Sequence, residues 1–212
     1  MKWNNHKELE GKHAFLGASN YHWLNWDDSI FEVRYYSQFA QIIGTTIHEL
    51  AHKCIMNRIK INKHDIHMVQ LALDEAFVPR DAYDPGDILD TLIPFVNDAI
   101  GFHMSSEIIL YYNQYLFGTT DAIVYNEKDR LLRIHDLKTG TTPARMEQLY
   151  IYAAFFCLEY KIDPLKIKYE TRLYQGLDVL IDTPDPDIIY QITELMKKRS
   201  AQILGYLERE GK

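Results

Sequence analysis

Gly118-Thr-Thr-Asp121, followed by Asp136-Leu-Lys138 and then by Gln148-x-x-x-Tyr152, is the stretch on which the fold of this chain turns. The residues around Asp121 (Tyr115 to Tyr125) and around Asp136 (Leu131 to Leu137) are rich in Ile, Val, Leu and Tyr. Asn126-Glu-Lys-Asp129 between them has turn composition. This pattern predicts two strands linked as a hairpin. Side chains alternate along a strand, so Asp136 and Lys138 share one face while His135 and Leu137 point the other way. If the register sets Asp121 opposite the first of those faces, two carboxylates and an ammonium converge. Like charges held close raise one another's pKa, so such a cluster is electrostatically poor without a cation. A hard divalent ion with oxygen ligands, Mg2+ or Mn2+, resolves the repulsion. Lys138 then lies where it can orient a nucleophile or offset developing negative charge. An isolated Asp-x-Lys on a solvated strand is usually only an ion pair, so the surrounding pattern has to carry the reading.

Working outward, Ser19 is placed to cap a short aromatic helix through Trp26, and Ser29 to about Ile59 reads as one long helix carrying His48. Asn62 to Phe77 also reads as helix. Pro79-Arg-Asp-Ala-Tyr-Asp-Pro-Gly86 is a loop, and Asp87 to about His103 is helical, with a kink or interruption expected at Pro94. Strands are expected from about Ser106, Phe117 and Arg130. A helix opened by Pro143 runs to Tyr160, a fourth strand covers Ile167 to Tyr174, and a last helix follows Pro184-Asp-Pro186. The expected fold class is mixed α/β, with a central mixed sheet of about four strands flanked by helices and residues 60–105 as a helical insertion.

Four short motifs in this order resemble the RecB-like branch of the PD-(D/E)XK nuclease superfamily, which includes phage exonucleases. They are Gly44-x-x-x-His48 on a helix, Asp121 after a glycine-led strand, Asp136-x-Lys138 on the next strand, and Gln148-x-x-x-Tyr152 on the following helix. Phe15-Leu-Gly-Ala-Ser19 with Tyr21-His-Trp-Leu24 is similar to the start of phage members, and the likeness spans about residues 15–160. The resemblance implies a restriction-endonuclease-like core forming one nuclease domain over residues 1–212. It implies a metal-dependent deoxyribonuclease, exonuclease rather than endonuclease, in phage recombination or DNA end processing. It makes His48, Asp121 and Asp136 metal ligands with the Leu137 carbonyl a further one, and Lys138 the catalytic lysine. Gln148 and Tyr152 line the site. Glu107 stands where members often carry an acidic residue near the site. The cofactor implied is Mg2+ or Mn2+. DNA is the implied partner, together with a single-strand annealing protein or recombinase, and a homo-oligomer is compatible with that setting. Asp136 replaces the commoner Glu at the second acidic position. Some members carry four cysteines for an iron–sulfur cluster, whereas this chain has only Cys54 and Cys157, so no cluster is expected.

A rival motif overlaps the first. His48-Glu-Leu-Ala-His52 is a literal HExxH, the zinc-protease pattern in which histidines one helical turn apart bind the metal and Glu49 activates water. Glu75 stands downstream as a third ligand. This reading leaves Asp136-x-Lys138 and Gln148-x-x-x-Tyr152 without a purpose. A third reading, a non-catalytic DNA-binding or interaction module on the same fold, would be signalled by loss of Lys138 or an aspartate, and all are present.

With 212 residues, 47% of them hydrophobic and 25% charged, the chain is long enough for one sizeable core. Met1-Lys-Trp-Asn-Asn-His-Lys-Glu has no apolar leader region, and no apolar run is long enough to span a bilayer. A cytoplasmic protein is expected, in the host cell if phage-encoded. Two cysteines make no disulfide framework and are expected to be packed thiols. The net charge of −7 argues against a general nucleic-acid coat, though not against a nuclease with a locally positive groove. Lys138, Arg145, Lys166, Lys168 and Arg172 lie close in sequence to the candidate site, with Arg145 a candidate substrate contact. Tyr111, Tyr112, Tyr115, Trp23 and Trp26 are candidates for stacking on bases, most of them expected to be core.

Overall fold

The computed structural model describes residues 4–140, 143 and 145–210. Residues 1–3, which open the stretch read for a leader, lie outside that description. A five-stranded mixed sheet in the order β1-β2-β3-β4-β5 forms the centre of an α/β architecture. Its strands are β1 (Ser105–Asn113), β2 (Leu116–Asn126), β3 (Leu131–Lys138), β4 (Lys168–Gln175) and β5 (Asp178–Asp182). The helices are α1 (Asp28–Ser37), α2 (Ala40–Met56), α3 (Ile66–Glu75), α4 (Pro85–Gly101), α5 (Glu147–Glu159) and α6 (Pro186–Arg209).

β1, β2 and β3 form an antiparallel meander, and β4 pairs parallel with β3. A parallel partner cannot be reached by a tight turn, so the chain crosses over through α5 between them. β5 then pairs antiparallel with β4, making five strands where about four were expected. The extra strand is short and largely exposed, so it lacks the apolar alternation that announces a strand. Its hairpin turns at Gly176, whose φ of +59° favours glycine.

Each face of the sheet has its own core. Ile47, Ala51 and Cys54 of α2, Val69 and Leu73 of α3, and Leu92, Phe95 and Val96 of α4 pack with Ala122, Leu137 and Tyr174 of the sheet. The segment read as a helical insertion is thus part of this core. On the opposite face α5 is apolar all round, because it is enclosed between the sheet and α6. Leu149, Ala153, Phe155 and Cys157 pack there against Leu110, Ile134 and Leu173. Both cysteines are buried, one in each core.

Three element boundaries differ from the sequence reading. The long helix from Ser29 is two helices, α1 and α2, broken at Gln38–Phe39 where no glycine or proline marks the break. α4 runs through Pro94 without interruption, begun by Pro85 and by Asp84, whose side chain accepts from the Gly86 and Asp87 amides. α5 starts at Glu147 rather than at Pro143. The aromatic stretch capped in expectation by Ser19 is a 3₁₀ segment, Ala18–Asn25, preceded by Gly17. It and α1 bury none of their residues fully, and Phe15 holds them together through ring contacts with Trp26, Phe31 and Tyr35. Among the described residues no helix is long and apolar enough to cross a membrane.

Candidate metal centre

β2 and β3 part at the end of their ladder, and that opening creates the site. Ala122 pairs with His135, which is the last cross-strand pair toward the C-terminal end of β3. One residue further on, Asp121 Oδ2 accepts the Leu137 amide at 2.7 Å, so a carboxylate takes the place of a ladder carbonyl. Its other oxygen faces His48 Nδ1 of α2 at 3.2 Å.

Across β1 the position opposite Asp121 is Glu107, flanked by the pairs Ser106–Ala122 and Ile108–Thr120. Glu107 has a φ of +56°, a left-handed backbone in the middle of a strand. Such a conformation costs of order 1–3 kcal/mol for a residue with a side chain and is held only where the surroundings enforce it. The faces of the hairpin exchange there: Ser106 and Ala122 lie on the α2 side, whereas Ile108 and Leu110 pack with α5. The result aims an exposed glutamate into the cleft. One ligand atom each from His48, Glu107 and Asp121 lie within 4.8 Å of one another.

Asp136 and Lys138 project together on the other side of β3 from His135, as alternation requires. Asp136 is 2% exposed, and its Oδ2 lies 2.9 Å from Lys138 Nζ. Lys138 also donates to Gln148 Oε1 at 2.9 Å, and Gln148 Nε2 donates to the Tyr152 hydroxyl at 3.0 Å. Gln148 and Tyr152 sit one turn apart on α5, which gives them a common face. Gly118 makes room for that tyrosine, since a Cβ there would meet Tyr152 Cε1 at 2.9 Å. Gly44 is not so constrained: a Cβ would sit 3.4 Å from Thr139 Oγ1.

Burial and neighbouring carboxylates disfavour the ionised acids of the cluster. Burial, then the nearby Asp121 carboxylate, pushes Asp136 up to about 6 despite Lys138. Burial and Asp121 likewise raise Glu107. Burial works against a charged His48, but Asp121, Glu107 and Asp136 outweigh it and raise its pKa. Groups whose ionised forms are mutually destabilised, gathered around one point, are the donor set a divalent cation relieves. One imidazole and carboxylate oxygens fit Mn2+ and Mg2+, and the residues present therefore fit the implied ion.

Every predicted site residue can now be placed. His48, Glu107 and Asp121 form the cluster, Asp136 and Lys138 border it, and Gln148 and Tyr152 extend it through hydrogen bonds. Leu137 contributes its amide to Asp121. Arg145 is exposed ahead of α5. Of the other basic residues near in sequence, Lys166 and Lys168 lie toward the opposite end of the sheet, since Lys168 pairs with Leu131 at the start of β3. Arg172 points to the α4 face, paired with Asp98 and Glu170. Within the rival motif, Glu49 and His52 line the same cleft as His48 and Glu107, His52 Nδ1 is 2.7 Å from Ser106 Oγ, and Glu75 is exposed at the end of α3. None of the three belongs to the cluster of close ligand atoms among the described residues. Lys53 and Thr119, which the sequence reading did not single out, line the same cleft as His48 and Glu107. Thr119 lies within the Gly118-Thr-Thr-Asp121 stretch without having been assigned a role, and Lys53 carries no motif. The chain matches no protein-family model, no curated protein and no solved structure.

Proposed function

We propose that this chain is a divalent-metal-dependent deoxyribonuclease of exonuclease type, built on a PD-(D/E)XK-like core. The observation that carries the reading is the convergence of His48, Glu107 and Asp121 beside the buried Asp136–Lys138 pair. The element order α2, three antiparallel strands, α5 and a parallel fourth strand supports the same assignment, because it delivers these residues from the expected elements in the expected sequence.

His48, Glu107 and Asp121 would hold Mg2+ or Mn2+, with Asp136 at its margin. An ion so held supplies Lewis acidity toward a non-bridging phosphate oxygen and lowers the pKa of water. The chain's own groups do the positioning. Asp136 fixes Lys138 on one side and Gln148 fixes it on the other, so the ammonium is held rather than free to sample solvent. An ammonium has three donors, and the remaining one can orient the attacking water and offset charge gathering on the phosphate. Water attacks phosphorus in line, the opposite P–O bond breaks, and the leaving oxygen takes up a proton. Tyr152 holds Gln148 in place from one turn along α5.

The test is digestion of end-labelled linear and closed circular DNA with Mg2+ or Mn2+, comparing wild type with Lys138→Ala and Glu49→Ala. The reading expects shortening of linear DNA, intact circles, and loss of activity in the lysine variant alone. Loss in the Glu49 variant with Lys138→Ala active would point instead to the HExxH motif. Absence of cleavage with either metal would end the nuclease assignment.

A further inference from the structure

Beyond the cluster the β1–β2 hairpin continues outward, and its two faces differ. Ile108, Leu110, Tyr112 and Leu116 turn toward α5 and α6 and are buried or half-buried. Ile109, Tyr111 and Phe117 occupy the other face and are 63%, 51% and 56% exposed, and Tyr115 in the turn at their end is 44% exposed. Scattered exposed apolar residues are ordinary, but a contiguous patch beside a polar cleft marks a contact surface.

That patch is continuous with the metal centre. Tyr111 pairs with Phe117 and Ile109 with Thr119, and the next position inward sets Glu107 opposite Asp121. Thr119 itself lines the cleft with His48 and Asp121. Tyr111 lies four positions along β1 from Glu107, about 13 Å at roughly 3.3 Å per residue. At a stacked rise of about 3.4 Å that distance spans some four nucleotides.

The chemistry of the patch selects its occupant. Aromatic and aliphatic side chains offer nothing to a phosphate, but they suit the flat faces of bases. In a duplex those faces are already stacked on one another and are not offered to protein, whereas a single strand presents them. Edge-to-edge pairing with a second copy is disfavoured here, because the Tyr111 amide on the open edge of β1 is taken by Glu159 of α5. We propose that Ile109, Tyr111, Tyr115 and Phe117 form a stacking platform for the bases of single-stranded DNA, leading a strand end to the phosphate cleaved at the cluster. The platform rests on the nuclease reading for the identity of that phosphate.

The experiment measures binding of full-length protein to a fluorescein-labelled oligothymidylate and to a duplex of equal length, in EDTA. A parallel set uses single strands carrying 2-aminopurine, whose fluorescence falls when it stacks. Tyr111→Ala and Phe117→Ala are each expected to weaken single-strand binding about tenfold and to restore 2-aminopurine fluorescence, with duplex binding little changed. Tyr111→Trp is expected to retain both affinity and quenching. Unchanged single-strand affinity in both alanine variants, or equal losses for duplex, overturns the platform. So does a wild-type dimer that these variants convert to monomer with DNA binding intact. The nuclease reading fails separately, by absence of cleavage in wild type, and a platform that binds without cleavage would stand as a single-strand site.

Discussion

β3 carries a buried ionisable residue on each face, and the two are accommodated in opposite ways. His135 faces α4 in a network whose charges balance. Arg172 reaches Asp98 at 2.8 Å and Glu170 at 3.0 Å, and Arg133 reaches Glu170 at 3.1 Å. Both guanidinium groups lie over the Phe102 ring. The Tyr174 hydroxyl gives its single proton to Asp98, so His135 Nδ1, 3.1 Å away, must donate to Tyr174. That tautomer leaves the buried Nε2 as a bare lone pair, and burial with the two arginines lowers the His135 pKa to about 3. At the opening between β2 and β3, Asp136, Asp121 and Glu107 gather near Lys138 and His48, with His52 and Lys53 lining the same cleft. A neutral network closed on itself stabilises a fold. A cluster of carboxylates that raise one another's pKa, beside a left-handed backbone at Glu107, is the kind of arrangement found at functional sites.

Substitutions in the two networks should therefore separate function from stability. Lys138→Ala is expected to lower DNA cleavage at least 100- to 1000-fold, about 3–4 kcal/mol of barrier, while the melting temperature stays within a few degrees. Arg172→Ala should do the reverse. Loss of the cation stranded between Asp98 and Glu170 should cost about 1–3 kcal/mol in denaturant unfolding, with activity per folded molecule retained. A large activity loss in Arg172→Ala without destabilisation would break the distinction.

The pH dependence in EDTA sharpens it. The folded pKa of His135 lies below its unfolded value of about 6.5, so its contribution is complete above that pH. As pH falls from about 6.5 toward 3 the unfolded state binds the proton first, and stability declines by up to about 1.4 kcal/mol per pH unit. Asp136 has the opposite sign: its raised pKa penalises the folded state above about 6, a penalty relieved as pH falls toward 4. His135→Gln should flatten the acid limb of the stability curve, and Asp136→Asn should lower the dependence between about 4 and 6. Unfolding midpoints measured across pH 4–8 check both.

The two glycines make a further contrast, ending on the smallest effect. Gly118→Ala should displace Tyr152 and cost about 1–3 kcal/mol of stability along with part of the activity. Gly44→Ala, in a helix interior with ordinary clearance, should stabilise by about 0.5–1 kcal/mol without harming cleavage.

These contrasts also explain what could be read from the chain alone. Strand alternation placed Asp136 and Lys138 together, and helical periodicity placed Gln148 one turn before Tyr152. Both are local rules. The pairing of β3 with β4 is not local, and it carried Lys166, Lys168 and Arg172 away from a site they neighbour in sequence. Glu107 could be suspected from its position before Asp121, but the left-handed backbone that aims it into the cleft leaves no mark on residue type. β5 and the break between α1 and α2 escaped because neither has a periodic pattern or a breaker residue. Strand parity separated the two aromatic candidates that lie in β1, leaving Tyr112 half-buried against the α5 side and Tyr111 exposed.

The most direct test of the metal-centre account is thermal unfolding at pH 7.5 with and without Mn2+, for wild type, Lys138→Ala and Asp121→Asn. Saturation at about 100 times the dissociation constant adds about 2.7 kcal/mol, which for a chain of this size raises the melting temperature by roughly 5–10 °C. The account predicts that rise in wild type and in Lys138→Ala, and its loss in Asp121→Asn. A wild-type protein whose melting temperature does not respond to Mn2+ or Mg2+, or an Asp121→Asn variant that responds equally, would contradict it.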